Sequence, residues 1–396
     1  QRDVLAVGGS IKRHRDSRIY GTWQGTEKWK RRPFKRKRRY QQSKHAIDLN
    51  GTVAYNRVDG LIGTGRLAFH SQEKFMPEFY VEYGYGFWSK RSKYRLGFEQ
   101  RLFDYHQTSF GGEVYRRTAT EDEWRCRTKE NSLYAIIARE DFRDYYEGEG
   151  GSFFFEQTIG YDHTFRLDYR FEELRFLEAN PNLWSLFGGG KRFRGNFSSV
   201  TDETLTEHLS DYDKDEASLL LCYTYSTVEG RHGELLRSGW YAMTGAEHAS
   251  QRLGSDFDYD RVVMELRRYQ PLTYRQNLNF RLIYGTATGN LPLHKYFYLG
   301  GIRTLRAYDI KEFCGTRMAM ANLEYVLDFS RSDVGVALLF DIGKTGWESD
   351  FLTNGQWRGD VGVGLTVIND IRLELTRQIN GFTNSIQISI LINRSF

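Results

Sequence analysis

Ser385-Ile386-Gln387-Ile388-Ser389-Ile390-Leu391-Ile392-Asn393-Arg394-Ser395-Phe396 decides the fold. Ile386, Ile388, Ile390, Ile392 and Phe396 stand between Ser385, Gln387, Ser389, Asn393 and Ser395. Successive side chains of a strand point to opposite faces, so such a segment has one apolar and one polar face. The same reading holds at 370–379, where Ile371, Leu373, Leu375 and Ile379 alternate with Asp370, Arg372, Glu374, Thr376 and Gln378. At 359–368, Val361, Val363, Leu365 and Val367 alternate with Gly and Thr. At 272–284, Leu272, Tyr274, Leu278, Phe280, Leu282 and Tyr284 face away from Thr273, Arg275, Asn277, Asn279 and Arg281. A soluble sandwich also alternates. Two features favour a membrane barrel: the segments reach the roughly 9–11 residues needed to cross a bilayer at a tilt, and their polar faces carry many charges, as a watery or loop-filled lumen tolerates.

Composition supports this. Of 396 residues, 27 are Phe, 26 Tyr and 8 Trp, too many aromatics for a disordered chain, and 39 Gly with 5 Pro suit strands. No run of 18 apolar residues exists, so no transmembrane helix is expected. No signal peptide precedes Gln1, so the sequence is expected to be either a mature chain or a portion of a longer one.

Sixteen segments emerge: 46–57, 61–69, 77–88, 91–103, 107–118, 152–161, 163–176, 215–228, 235–247, 257–269, 272–286, 316–329, 333–341, 359–368, 370–379 and 385–395. An even number suits an all-β, closed, antiparallel transmembrane barrel. The long connections, 119–151, 177–214, 287–315 and 342–358, all follow odd-numbered segments. Short ones, such as Gln270-Pro271 and Asn369-Asp370, follow even-numbered ones. That asymmetry puts long loops outside the cell and both termini in the periplasm. Within 119–151, Asn131–Arg143 reads as a helix outside the wall.

Charge divides the chain at about residue 45. Fourteen Lys/Arg between Lys12 and Lys44 face only Asp16 and Glu27, giving +12. Against a total of +5, this leaves −7 for 45–396. Residues 1–45 are therefore a basic periplasmic segment and 46–396 the barrel. A nucleic-acid partner is not expected, because no recognition module or stacking platform accompanies the charge. A solvated tail, or contact with anionic lipid or an acidic partner, fits better.

The functional signal lies near the end of the chain. Leu299-Gly300-Gly301-Ile302-Arg303-Thr304-Leu305-Arg306-Ala307-Tyr308 is followed by Asn322-Leu323-Glu324-Tyr325 and by Phe340-Asp341-Ile342-Gly343. Here the chain strongly resembles the BamA/TamA superfamily of outer-membrane assembly and translocation barrels, the bacterial surface-antigen family. The resemblance covers about 46–396, and Asn56-Arg57-Val58-Asp59-Gly60 is similar to the start of such a barrel. The resemblance implies that a tip, here Arg306-Ala307-Tyr308, folds back into the lumen. Glu324 and Asp341 match the family's acidic partners, and Gly300, Gly301, Tyr308 and Gly343 complete the motif. Family members usually have Gly where Ala307 stands, so an ordinary backbone is expected at that point.

The residues give a physical reason for the same grouping. If Leu323, Tyr325 and Leu327 face out, then Asn322, Glu324 and Asp328 face in. If Val334, Val336, Leu338 and Phe340 face out, Asp341 faces in. Neighbouring strands then offer two carboxylates to one lumen, and enclosed like charges require a cation. A guanidinium forks between carboxylates better than an ammonium does. Arg306 is that cation, with Arg303 as its competitor.

The resemblance implies insertion or translocation of proteins at the bacterial outer membrane. Outer-membrane lipid and lipopolysaccharide are expected partners, as are unfolded or client membrane proteins. It also implies a lateral seam between the first and last strands, where Asn50, Gly51, Ile390 and Asn393 lie. The family usually carries POTRA domains, and 45 residues are too few for one. The receiving module is then missing, replaced by the basic segment, or supplied by a separate POTRA-bearing or periplasmic subunit met through Lys28–Arg39. The rival reading is a structural or adaptor barrel that anchors periplasmic or surface proteins. An enzyme is not expected: GxSxG and HExxH are absent and the nine histidines are scattered. Gly188-Gly189-Gly190-Lys191 lacks the remaining positions of a phosphate-binding loop. No cofactor or metal is expected. Cys126 and Cys314 both fall in loops where a disulfide could form, while Cys222 lies mid-strand and should stay a thiol.

Overall fold

The computed structural model describes residues 5–6, 24–25, 45–71, 76–103, 107–200, 208, 210–229, 236–329, 334–367, 371–379 and 386–392. The chain divides into two units, Gln1–His45 and Ala46–Phe396. In the first, Leu5–Ala6 pairs in parallel with Gln24–Gly25. The basic run Lys28–Arg39 lies outside the described residues.

The second unit is a sixteen-stranded antiparallel barrel in which strand order follows chain order. Its staves are β1 His45–Asn56, β2 Gly60–Ser71, β3 Glu78–Gly86, β4 Arg91–Phe103, β5 Thr108–Ala119 and β6 Tyr146–Ile159. Next come β7 His163–Phe176, β8 Asp215–Ser226, β9 Gly239–Ala249, β10 Asp258–Thr273 and β11 Gln276–Asn290. The last five are β12 Arg317–Asp328, β13 Val334–Gly346, β14 Arg358–Val367, β15 Ile371–Gln378 and β16 Ile386–Ile392. The sheet's order begins at β1 and ends at β16; among the described residues no ladder joins these two.

Alternation sets the two faces. Leu338 and Phe340 of β13 are exposed, as are Val361, Val363 and Leu365 of β14, whereas Ala337, Leu339 and Asp341 are buried. The exposed apolar row meets lipid and the buried row meets what fills the lumen. That filling comes from the connections. Phe297, Tyr298, Leu299, Leu305 and Tyr308 pack with Phe197 and Tyr212 from 177–214, and with the wall residues Tyr146, Tyr259 and Ile283.

Three local expectations need correction. Gln270 and Pro271 lie inside β10; the turn is Tyr274-Arg275, and a register shift between Pro271 and Thr273 accommodates a residue with no N–H to donate. The lumen helix, α1, runs Thr128–Ala138 rather than Asn131–Arg143. It stops because Arg139 turns left-handed (φ 54°) and reverses the chain. Cys126 and Cys314 form no disulfide: all three cysteines are free thiols. Cys126 packs with Phe142, Ile302 and Leu391, while Cys314 joins a different apolar cluster, its sulfur 3.7 Å from the Ser199 carbonyl. The turn Asn369-Asp370 lies outside the described residues.

Placing a charge on the lipid face should cost most near mid-membrane. Leu338→Arg is expected to lower unfolding free energy in lipid vesicles by about 2–4 kcal/mol, read from the urea midpoint of tryptophan fluorescence. An unchanged midpoint would mean that Leu338 does not face lipid.

Candidate functional site: a loop held inside the barrel

Between β11 and β12 the chain leaves the wall and forms a short hairpin, Phe297–Leu299 with Phe313–Gly315. Its tip is tightened by left-handed backbone at Gly300 (φ 115°), Gly301 (φ 86°) and Arg303 (φ 57°). A β-carbon on Gly300 would collide with the Asp309 carbonyl, so this position requires glycine. Ala307 is not among the described residues with positive φ, and it is buried. Thr304 Oγ1 accepts from Gly300 N at 3.1 Å and donates to the Gly301 carbonyl at 2.9 Å. Arg125 donates to the Gly300 and Tyr298 carbonyls, each at 2.8 Å. Gly343 of β13 leaves room for Leu299, whose Cδ1 would be 3.0 Å from an added β-carbon.

The tip brings Arg306 to the inner wall. Arg306 Nη1 donates to Asp341 Oδ1 at 2.6 Å and Oδ2 at 2.8 Å, and Nη2 donates to Glu324 Oε1 at 2.6 Å. Its Nε lies 3.2 Å from Glu374 Oε2. All four side chains are fully buried. Burial disfavours the charged guanidinium, yet Asp341, Glu374 and Glu324 outweigh it and raise the Arg306 pKa further.

Strand register explains the grip. Asn322, Asp341, Asp360 and Gln378 stand directly opposite one another across β12, β13, β14 and β15. Each meets the tip: Asn322 donates to the Thr304 carbonyl at 3.0 Å, Asp341 takes Arg306, Asp360 accepts from Ala307 N at 3.3 Å, and Gln378 donates to the Ala307 carbonyl at 3.0 Å. Arg372 of β15 completes the charge set, 3.3 Å from Glu324 and 3.1 Å from Glu374. It lies against Gly364 of β14, which carries no side chain to displace it. A β-carbon at Gly364 would sit 2.5 Å from Arg372 Nε.

The structure thus brings Arg306, Glu324 and Asp341 together, while Gly300 and Gly301 shape the loop and Gly343 makes room for Leu299. Tyr308 packs edge-on to Phe313. Arg303 does not compete for these acids: it forks onto Glu130 of α1 at 2.7 and 3.1 Å. Sequence reasoning missed Asp360, Arg372 and Glu374 as members, although alternation already put all three on the polar faces of their strands. It also missed two further ion clusters, whose partners are far apart in sequence. Arg57, fully buried, reaches Asp144 at 2.7 Å, Asp141 at 3.2 Å and Asn196 at 2.8 Å. Lys295 reaches Glu247 at 2.7 Å, Glu121 at 3.3 Å and Glu216 at 3.4 Å. Asn50 and Gly51 lie in β1 and Ile390 in β16, at the two ends of the sheet; Asn393 lies outside the described residues. Among the described residues no cluster of metal-ligating side chains occurs.

Arg306→Ala leaves enclosed carboxylates without their cation and should cost on the order of 3–5 kcal/mol. Arg306→Lys should recover only part, since an ammonium cannot fork to three acids. Urea midpoints and protease cutting within 300–308 measure both; equal midpoints for wild type and Arg306→Ala would show that the guanidinium does not hold the loop. The Arg57 cluster has its own test. Burial acts to raise the Asp144 pKa, but Arg194, Lys311 and Arg57 outweigh it and hold that carboxyl well below the usual range. Its stabilisation is complete above the ordinary aspartate value of about 3.9 and is lost only as pH falls through the lowered value. Loop 120–145 should therefore resist protease at pH 5 as well as at pH 7, whereas Asp144→Asn should be cut at both.

Comparison with known proteins follows the same lines. The Omp85 superfamily domain matches residues 78–371. The outer membrane protein assembly factor BamA of Nitratidesulfovibrio vulgaris is 22% identical over 330 residues, covering 76% of this chain and 36% of its own length. This chain thus spans about a third of that relative. The crystal structure of BamA from Haemophilus ducreyi lacking POTRA domains 1–3 has a TM-score of 0.56 at 12% identity, over 87% of this chain and 68% of that one. That likeness is one of fold.

Proposed function

The chain belongs to the Omp85 superfamily, and from that premise we propose that it inserts or translocates proteins at the outer membrane. The observation that carries this reading is the loop tip. A closed pore needs no arginine held by acids on three separate strands, whereas a barrel that must keep its shape while one edge opens does. Arg306 ties β12, β13 and β15 into one rigid wall through its contacts with Asp341, Glu324 and Glu374. The remaining flexibility then falls where β1 and β16 meet.

Backbone groups at a strand edge must find partners in lipid. An incoming client strand can supply them by adding to the sheet. Asn50 and Gly51 weaken β1 as a strand and favour such exchange. Lipid and lipopolysaccharide bathe the outer apolar row, and unfolded membrane proteins are the clients. The N-terminus is periplasmic, and a separate POTRA-bearing or periplasmic subunit docks on Lys28–Arg39. The work is non-enzymatic: strands exchange hydrogen-bond partners and no covalent bond is broken.

Bridging the seam tests this. Gly51→Cys with Ile390→Cys, joined by a short bifunctional thiol linker in a background lacking the native cysteines, should abolish client insertion into proteoliposomes. A linker cleavable by reductant should restore it. Wild-type insertion by the bridged barrel would overturn the reading.

A further inference from the structure

The helix α1 stands between the two ends of the sheet and touches the backbone of both. Ser132 Oγ accepts from Tyr55 N of β1 at 2.9 Å and donates to the Thr128 carbonyl at 2.7 Å. Two residues along the same helix, the Tyr134 hydroxyl accepts from Ile390 N of β16 at 3.0 Å and donates to the carbonyl of that same residue. In an antiparallel ladder, a residue facing a hydrogen-bonded partner exchanges both bonds with it. One phenol hydroxyl here takes both roles at Ile390. It stands in for a residue of a neighbouring strand.

Apolar contacts seat the helix on both sides. Tyr55 packs with Ala135 and Phe193. Leu391, the inward residue after Ile390, is fully buried with Cys126, Phe142 and Ile302, and Tyr134 leans on that cluster. The Tyr134 ring meets Phe142 edge-on at 4.8 Å. Burial and the nearby Glu130 carboxylate both raise the Tyr134 pKa, so the hydroxyl keeps the proton it donates. Glu130 also binds Arg303, three residues before Arg306. The helix is thus fixed through Glu130 to the tip held by the wall and, within the next turn, through Ser132 and Tyr134 to the two edge strands.

We propose that α1 is a built-in seam clip: Tyr134 and Ser132 occupy the edge hydrogen bonds that an extended peptide would otherwise take. The clip rests on the strand-receiving function proposed above and adds its control. An entering strand competes with Tyr134 for Ile390, and displacing the helix strains the Glu130–Arg303 pair. Opening of the seam is therefore coupled to the loop tip.

The experiment uses the full chain in lipid vesicles and two conservative variants. Tyr134→Phe keeps the ring and removes the hydroxyl; Ser132→Ala removes the other edge contact. Amide hydrogen exchange over 386–392 should quicken roughly tenfold in Tyr134→Phe, the worth of two ordinary hydrogen bonds. Exchange at the Tyr55 amide should quicken in Ser132→Ala, which also reads the clip if Tyr134→Phe fails to assemble. A synthetic peptide with the sequence of 385–396, carrying a benzophenone, is the strand probe. Its photolabelling of β16 should rise in Tyr134→Phe by a similar factor. Unchanged exchange in both variants overturns the clip. Faster exchange with no rise in labelling keeps the clip and defeats the strand-receiving reading on which its role as a competitor depends.

Discussion

A guanidinium taken out of water must be surrounded by counter-charge, and this requirement organises the barrel's interior. Arg306 sits in a loop, 16 residues after β11 ends and 11 before β12 begins, yet Asp341, Glu324 and Glu374 fix it to within hydrogen-bond distance. The acids could not share that space without it, and it could not stay there without them. Because these acids stand on different strands, the pairing also ties β12, β13 and β15 to one loop. Neutral groups in the same row, Asn322 and Gln378, then hold the backbone on either side of the arginine. Charge places the tip and amides orient it.

The other loops enter the lumen by the same rule, each with its own cation. Arg57 draws 120–145 and 177–214 against the β1–β2 turn through Asp141, Asp144 and Asn196. Lys295 draws the β11–β12 connection onto Glu216 of β8 and Glu247 of β9. Lys311 shares Asp144 with Arg57, and Arg303 joins the tip to α1. Asp144 thus belongs to two of these clusters, and the Arg303–Glu130 pair is the contact that carries the loop tip to α1.

Much of this was legible in the chain itself. Period-two alternation is a local property, so all sixteen staves could be read, and the inward direction of Glu324 and Asp341 followed from the outward direction of Leu323 and Phe340. The Arg306 tip stood out through its resemblance to the family's motif; the residues alone asked for a cation beside the paired inward acids and left Arg303 as a competitor. What could not be read was anything set by chain segments meeting inside the lumen. The contact of Tyr134 with Ile390 spans most of the barrel sequence, and no periodicity encodes it. Pro271 misled because proline ordinarily ends a strand, whereas here a bulge absorbs it. Cys126 and Cys314 looked available to each other only while the loop paths were unknown.

Gly364 leaves a gap in the inner face of β14, and the Arg372 guanidinium lies in it. The charge balance around the tip thus depends on a side chain that Gly364 does not have. A methyl group added there would meet the Arg372 guanidinium first and push that cation away from Glu324 and Glu374. The barrel's hold on its plug can in this way be graded by bulk at a silent position, leaving every recognisable motif residue intact.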